Sequence, residues 1–201
     1  RDRLKGTTTL VSQSSTGTTG NRGSYSPSIS ADGRYIVFDS PASTLTDGHV
    51  GEYWDVFIRD QVLGTTMLVS VNSSGIQGNN ASSTHSLSPD GRYIAFGSDA
   101  TNLVNGDTNW MNDILIRDMQ TGAITRVSVS TTGMQADGDS DFNAVSAGGT
   151  SIAFRSFSTN LVDDDSNGVW DIFVHDHASD PTITLTNPNG GEVYPPGSTL
   201  P

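Results

Sequence analysis

The stretch NLVDDDSNGVWDIFVHD, residues 160–176, decides the fold, because related copies of it occur twice more at a fixed offset. The copies are NLVNGDTNWMNDILIRD at residues 102–118 and TLTDGHVGEYWDVFIRD at residues 44–60. Each copy joins a loop rich in Asp, Asn and Gly to a short, almost entirely apolar run that is typical of a buried β-strand. The offset is 58 residues between successive copies, which indicates an array of similar structural units.

A second repeated motif precedes each copy and predicts two more strands. It reads SADGRYIVF at residues 30–38, SPDGRYIAF at residues 88–96 and, in a weaker form, SAGGTSIAF at residues 146–154. The Asp-Gly pair predicts a tight turn, because glycine tolerates a positive φ. The adjacent apolar residues after the turn indicate a strand that is buried on both faces.

Each unit is therefore predicted to contain four short strands. Tandem units of four antiparallel strands, covered on both faces, are typical of the blades of an all-β β-propeller, and a β-solenoid is the alternative. Solenoid repeats are usually shorter and do not need two hairpin turns each. The predicted first strands are residues 25–30 and 84–88, the second 34–38, 92–96 and 151–154, the third 55–59, 113–117 and 171–175, and the fourth 67–71 and 124–129.

The composition excludes several classes of function. The net charge is −12 with only 10 Lys and Arg residues, so nucleic acid is not an expected partner. The absence of cysteine excludes disulfides and thiolate metal sites. No run approaches the roughly 18 apolar residues of a membrane-spanning helix, so no membrane span is expected.

The SPDGRYIAF motif, followed by the apolar DILIRD strand and a Thr-Gly turn, resembles the TolB-like propeller repeat in the long variant of secreted prokaryotic proteins. The resemblance covers roughly residues 1–178. It implies a secreted or cell-surface location, and a propeller that serves as a binding or assembly platform or as an accessory domain of a peptidase. Such a fold does not by itself specify a function.

The repeat register also predicts the domain organisation. Residues 1–178 are assigned to propeller blades: residues 1–13 contain the outer strand of a preceding blade, TTLVS at 8–12, and three repeats follow. Residues 179–201 are assigned to a linker and the first segment of an immunoglobulin-like domain, which their PNGGE turn resembles. Three blades do not close a ring, since propellers use about four to eight. A fragment of a longer chain, a ring of two copies and strand exchange between copies all remain open, and the last two predict a homo-oligomer through open blade edges.

The loop of the third unit has the spacing of a calcium-binding loop. Its oxygen donors occupy positions 1, 3, 5 and 9 of an EF-hand, with Gly168 at position 6. Position 12 is Val174, so the bidentate Glu is missing and the expected affinity is weak, about 10⁻⁴–10⁻³ M. The predicted Ca²⁺ ligands are Asp163, Asp165, Asn167 and Asp171.

The other two loops repeat this pattern with fewer charges. The equivalent residues of the first loop, Asp47, His49, Gly51 and Asp55, have lost the middle ligands. The alternative for all three loops is that Asp, Asn and Gly only build turns and cap backbone groups. In the second loop the predicted ligands are Asn105, Asp107, Asn109 and Asp113.

Aromatic and histidine residues supply further candidates. Trp54 and Trp170 share one repeat position, which favours packing over sugar stacking, whereas Trp110 lies within an acidic loop and is expected to be exposed and to contact a ligand or partner. His175 and His177 are spaced for one face of a strand, where a transition metal is possible but a solvated position is favoured.

No catalytic motif occurs: the sequence contains no GxSxG, HExxH or phosphate-binding loop, and no catalytic residues are predicted. The favoured hypothesis is a non-catalytic extracellular propeller with calcium-binding loops, used for binding a protein or glycan, for adhesion or for self-assembly. The alternatives are an accessory propeller of a larger secreted hydrolase, either a peptidase or a glycan-degrading enzyme, and a structural subunit of an extracellular filament.

Overall fold

The computed structural model describes residues 6–177, which form three antiparallel sheets. The first two sheets have four strands each, in the order β1-β2-β3-β4 and β5-β6-β7-β8, and the third has the order β9-β10-β11. This all-β architecture confirms the predicted propeller blades. The strands are β1 (Tyr25–Ile29), β2 (Tyr35–Ser40), β3 (Asp55–Asp60), β4 (Thr65–Leu68), β5 (Ser82–Leu87), β6 (Tyr93–Ser98), β7 (Asp113–Asp118), β8 (Ile124–Arg126), β9 (Ser140–Val145), β10 (Ser151–Ser156) and β11 (Asp171–Asp176).

The fourth strands end earlier than the sequence predicts, at Leu68 in place of residue 71 and at Arg126 in place of residue 129. The reason is a side chain that replaces a backbone group. The Val56 N–H donates to the hydroxyl of Ser70 at 3.2 Å, and the equivalent bond in the second blade has the same length. The strand pairing therefore gives way to a side-chain bond just past each fourth strand.

Each first strand contains a β-bulge at the same repeat position. The pairing with the second strand shifts register there, and the residue in the bulge has a left-handed backbone. The φ angle is 53° at Ser26, 48° at Thr84 and 44° at Phe142. Non-glycine residues rarely adopt this conformation. Its recurrence at one repeat position indicates that the bulge is a regular part of the blade structure.

The core lies between neighbouring blades, and the middle blade is buried on both faces. Ile94 and Phe96 pack with Val37 of the first blade, whereas Ala95 packs with Ile152 and Phe154 of the third. Adjacent residues of one strand point to opposite faces. This alternation explains the unbroken apolar runs in the sequence.

The third blade differs in its last strand. Within residues 6–177, β11 pairs only with β10, and the side chains of Ile172 and Val174 are 72% and 66% exposed. Residues 8–12, predicted as a fourth strand, pair with no strand of the described chain. The predicted linker and immunoglobulin-like segment at 179–201 lie outside the described residues. In the described part of the chain, no helix is long and apolar enough to cross a membrane.

Candidate functional site

Three acidic loops, residues 41–54, 99–112 and 157–170, connect the second and third strands of the blades. Each leads into an Asp that opens a third strand, namely Asp55, Asp113 or Asp171. Asp55 and Asp113 are 0% and 1% exposed. A carboxylate buried to this degree must be hydrogen-bonded or paired with a cation.

The chain that follows each fourth strand supplies those hydrogen bonds. The Ser70 hydroxyl donates to Asp55 Oδ1 at 2.6 Å, and the Gln77 amide donates to Asp55 Oδ2 at 2.8 Å. In the second blade, Ser128 and Gln135 donate to Asp113 at 2.6 and 3.0 Å. The repeated Asp therefore fixes the start of the third strand to the segment after the fourth.

The buried Asp of the first blade and that of the second each lie next to a basic side chain, but the two basic side chains come from different elements. In the first, His49 Nε2 lies 2.9 Å from Asp55 Oδ2. In the second, Asp107 stands at the repeat position of His49, and the basic group comes from β8. There Arg126 lies 3.0 Å from Asp113 Oδ2 and 3.7 Å from Asp107 Oδ1. Burial raises the pKa of Asp113, and its contacts with Ser128 and Arg126 oppose that rise.

The predicted calcium ligands of the second loop are therefore only partly brought together. Asp107 and Asp113 converge on Arg126, a guanidinium that competes with a metal ion for the same oxygens. The Asn109 amide donates to the Ala136 carbonyl at 2.7 Å, and its Oδ1 accepts from the Met111 N–H. Asn105 is exposed. Calcium binding by this loop stays a prediction.

The third loop has the predicted sharp bend, with Gly168 at φ 65°. The Asn167 amide donates to Asp171 Oδ2 at 2.8 Å, and Asn167 Oδ1 accepts from Val169. No donor from residues 6–177 reaches the carboxylates of Asp163 or Asp165. In the same part of the chain, no group of three or more His, Asp or Glu side chains is arranged to hold a metal ion. Calcium binding here also stays a prediction.

Trp110 is 79% exposed, as the sequence predicts, and its backbone has a φ of 60°. Gly168 holds the equivalent position of the third loop with nearly the same φ of 65°. The other two tryptophans pack against aromatic rings. The Trp54 ring lies 5.1 Å from that of Tyr25, and the Trp170 ring lies 5.8 Å from that of Phe157.

His175 and His177 lie on one face of β11 and its end, as predicted, but they are half-buried and not fully solvated. Burial lowers the pKa of both His175 and His177, and the proximity of His175 lowers that of His177 further. The His177 backbone N–H donates to the Thr150 carbonyl at 2.8 Å. No acidic partner set for a transition metal accompanies them among the described residues.

One feature near these loops is not evident from any motif. A pocket of about 360 Å³ opens between the second and third blades. Its one indication in the sequence is a substitution within the repeats: Asn112 stands where the other two units have Trp54 and Trp170. The pocket is lined by Ser83, Thr84, Asp99, Asn112, Asp139, Asp141 and Trp170.

No family model and no curated protein matches the chain. Among solved structures, it is similar to TolB from Acinetobacter baumannii (20% identity, TM-score 0.46, 78% of this chain and 30% of that one). It is also similar to a protein described as TolB from Agrobacterium tumefaciens (19% identity, TM-score 0.48, 77% of this chain and 46% of that one). A third similar structure is the β-propeller domain of the Trilobed protease from Pyrococcus furiosus (13% identity, TM-score 0.42, 69% of this chain and 35% of that one). The chain thus spans less than half the length of each. Two of the three are described as TolB, which the repeats resemble.

Proposed function

We propose that this chain is a non-catalytic propeller module that acts outside the cytoplasm by binding a protein or glycan at its loop end. The observation that supports this most is Trp110. Its indole is exposed, and its φ of 60° is one that glycine adopts readily and tryptophan does not. Such strain costs about 1–3 kcal/mol and clusters at functional sites. Tryptophan is also enriched among the residues that dominate binding energies.

The loop around Trp110 is held in place before any ligand arrives. Asn109, next to it, bonds to the Ala136 carbonyl and accepts from Met111. Asn112 donates its backbone N–H to Asp139 Oδ1 at 2.9 Å. These bonds attach both sides of the loop to the segment that precedes β9. An exposed side chain between them therefore loses little backbone freedom on binding. The extracellular location is part of the proposal, and the resemblance of the repeats to secreted prokaryotic propellers supports it.

The proposal includes a Ca²⁺ ion in the third loop. Ca²⁺ takes six to eight oxygen ligands, and the carboxylates of Asp163 and Asp165 are free of donors from the described chain. Asp171 would add an oxygen, and Asn167 would add its own by giving up the bond from Val169. The second loop is the weaker candidate, because Arg126 already neutralises its carboxylates.

Binding is tested by applying the labelled chain to a glycan array and to an array of extracellular proteins. We expect at least one saturable signal that Trp110→Gly loses without a lower melting temperature. The control Trp54→Phe, which keeps an aromatic ring against Tyr25, should retain it. The proposal fails if neither array shows saturable binding, or if Trp110→Gly keeps every signal. Turnover of peptide or glycoside substrates by the pure chain would contradict the non-catalytic assignment.

The calcium site is tested by thermal melts in about 100 mM CaCl₂, a hundredfold excess over an expected Kd of about 10⁻³ M, and in EDTA with the ionic strength matched by NaCl. At a hundredfold excess over Kd, a bound ion adds about 2.7 kcal/mol to the free energy of unfolding. Asp165→Ala should remove this increment, and Asp47→Ala in the first loop should not. Identical melts in CaCl₂ and EDTA would rule out the ion.

A further inference from the structure

The pocket between the second and third blades exists because three large side chains of the other blades are replaced by small ones. In the first blade, the rings of Tyr25 and Trp54 fill the equivalent space, 5.1 Å apart. In the third, Arg155 packs 4.3 Å from the centre of the Trp170 ring. The second blade has Ser83, Gly97 and Asn112 at these positions.

Gly97 lies close to two side-chain oxygen atoms. A Cβ atom there would lie 2.6 Å from Thr84 Oγ1 and 2.7 Å from Asn112 Oδ1. Both of these oxygen atoms are buried and have no hydrogen-bond partner within the described chain. Thr84 and Asn112, which line the pocket, therefore each hold a polar atom whose hydrogen-bonding capacity is unused, and leaving such atoms unpaired is costly.

Asn112 also organises two carboxylates. Its backbone N–H donates to Asp139 Oδ1 at 2.9 Å, and its side-chain amide donates to Asp99 Oδ1 at 2.9 Å. The second oxygen of each carboxylate accepts no hydrogen bond from residues 6–177. The pocket consequently presents acceptors that are held in place and still have free lone pairs.

These carboxylates also lack a counter-charge. The third acid of the pocket, Asp141, is neutralised by Arg155 through two hydrogen bonds of 2.7 Å. Neither Asp99 nor Asp139 forms an ion pair with a basic side chain of the described residues. Two uncompensated charges among acceptors favour a ligand that is both cationic and a donor.

We propose that this pocket binds a primary alkylammonium group. An ammonium carries three N–H donors and a single positive charge, which matches the free oxygens of Asp99 and Asp139. The alkyl part would lie along Trp170, and the volume of about 360 Å³ is that of a small-molecule site. A metal ion fits less well, because no three acidic groups of the described chain are arranged around one point. The inference goes beyond the proposed function, since neither Trp110 nor a third-loop carboxylate lines the pocket.

The test is calorimetric titration of the full chain with n-butylammonium chloride at low salt, compared with 1-butanol. We expect a Kd of about 1 mM for the amine and binding at least about tenfold weaker for the alcohol. Asp99→Asn and Asp139→Asn should each weaken amine binding at least about fivefold, because each removes a charge and keeps the shape. Asp47→Asn, which removes one charge from an exposed loop, is the matched control.

Three outcomes would overturn the assignment: equal binding of amine and alcohol, no effect of the two pocket variants, or an equal loss in Asp47→Asn. Displacement of the amine by millimolar Ca²⁺ in an Asp165→Ala background would also overturn it, by showing a metal site. Trp110→Gly should bind the amine normally, so this test and that of the proposed function can fail separately.

Two sources can supply an alkylammonium group, a lysine side chain of a partner protein and a free polyamine. Titration with Nα-acetyl-lysine methylamide and with putrescine separates them. Tighter binding of the lysine derivative assigns the pocket to a lysine of a partner, and tighter binding of putrescine assigns it to a polyamine. Either result supports the ammonium assignment, whereas no binding of either compound contradicts it.

Discussion

The hydroxyl of Ser128 donates a 2.6 Å hydrogen bond to the buried carboxylate of Asp113. The same bond, at the same length, joins Ser70 to Asp55 one repeat earlier. In both of these blades the serine lies just beyond the fourth strand and the aspartate begins the third. This bond therefore connects the outer half of a blade to the end of its acidic loop.

Ser128→Ala should destabilise the chain by about 1–3 kcal/mol, because a buried carboxylate oxygen then loses its donor. Ser70→Ala should cost a similar amount through Asp55. Urea unfolding gives both values from the shift in midpoint. The control is Ser73→Ala, at an exposed position, which should stay within about 0.5 kcal/mol of wild type. Equal midpoints for all three variants would show that the bond adds nothing.

Arg126→Met should destabilise the second blade by about 3–5 kcal/mol at neutral pH. The change leaves Asp107 and Asp113 largely buried without their cation. Since burial already raises the pKa of Asp113, losing Arg126 raises it further, and the deficit should shrink as acid protonates Asp113. Urea unfolding over a pH series measures this. Arg22→Met, at an exposed position, should show no such pH dependence, and a deficit in Arg126→Met that stays constant with pH would contradict the pairing.

Acid should weaken the ion pairs that close the hairpins between second and third strands. Burial raises the pKa of Asp118, but the bond from Arg92 and the turn donors outweigh it and bring the pKa from 3.8 to about 2. A folded-state pKa below the unfolded value means stability that is present above about pH 4 and lost as the pH falls towards 2. Solvent screening limits the contribution of this partly exposed pair to about 1 kcal/mol.

The measurement is acid unfolding followed by circular dichroism, with Asp118→Asn compared with wild type. The variant should lose part of the pH dependence between about pH 4 and 2. Asp60→Asn should lose pH dependence in the same range, because the hydrogen bond from Arg34 lowers the pKa of Asp60 too. Asp47→Asn should leave the acid transition in place. An unchanged acid transition in Asp118→Asn would show that the Arg92 pair is not responsible.

Trp110→Gly should leave the free energy of unfolding unchanged or raise it by up to about 1 kcal/mol. Glycine accepts a φ of 60° without strain, as Gly168 does at the equivalent position. Trp110→Ala keeps the strain and is the matched comparison, so it should be the less stable of the two. The midpoints of urea unfolding for Trp110→Gly, Trp110→Ala and wild type measure this difference in stability. A large loss of stability in Trp110→Gly would mean that the indole packs on the loop and is not held free for a ligand.

The sequence by itself determined the blades. The Asp-Gly turns, the apolar runs and the 58-residue register are local features, and each hairpin follows from residues close together in the chain. The expected exposure of Trp110 was also correct. Strand ends were displaced where a side chain, such as Ser70, replaced a backbone partner.

Only the tertiary structure decided how the charged side chains pair. Spacing suggested that Asp107 and Asp113 face a metal ion, but the fold brings Arg126 from β8 to the same oxygens. The pocket likewise depends on Asp99 of one blade and Asp139 at the start of the next meeting at Asn112. Sequence periodicity assigns a residue to a face of a strand, but not the direction of a loop side chain or its neighbour across a blade interface. Those contacts are fixed only when the blades pack.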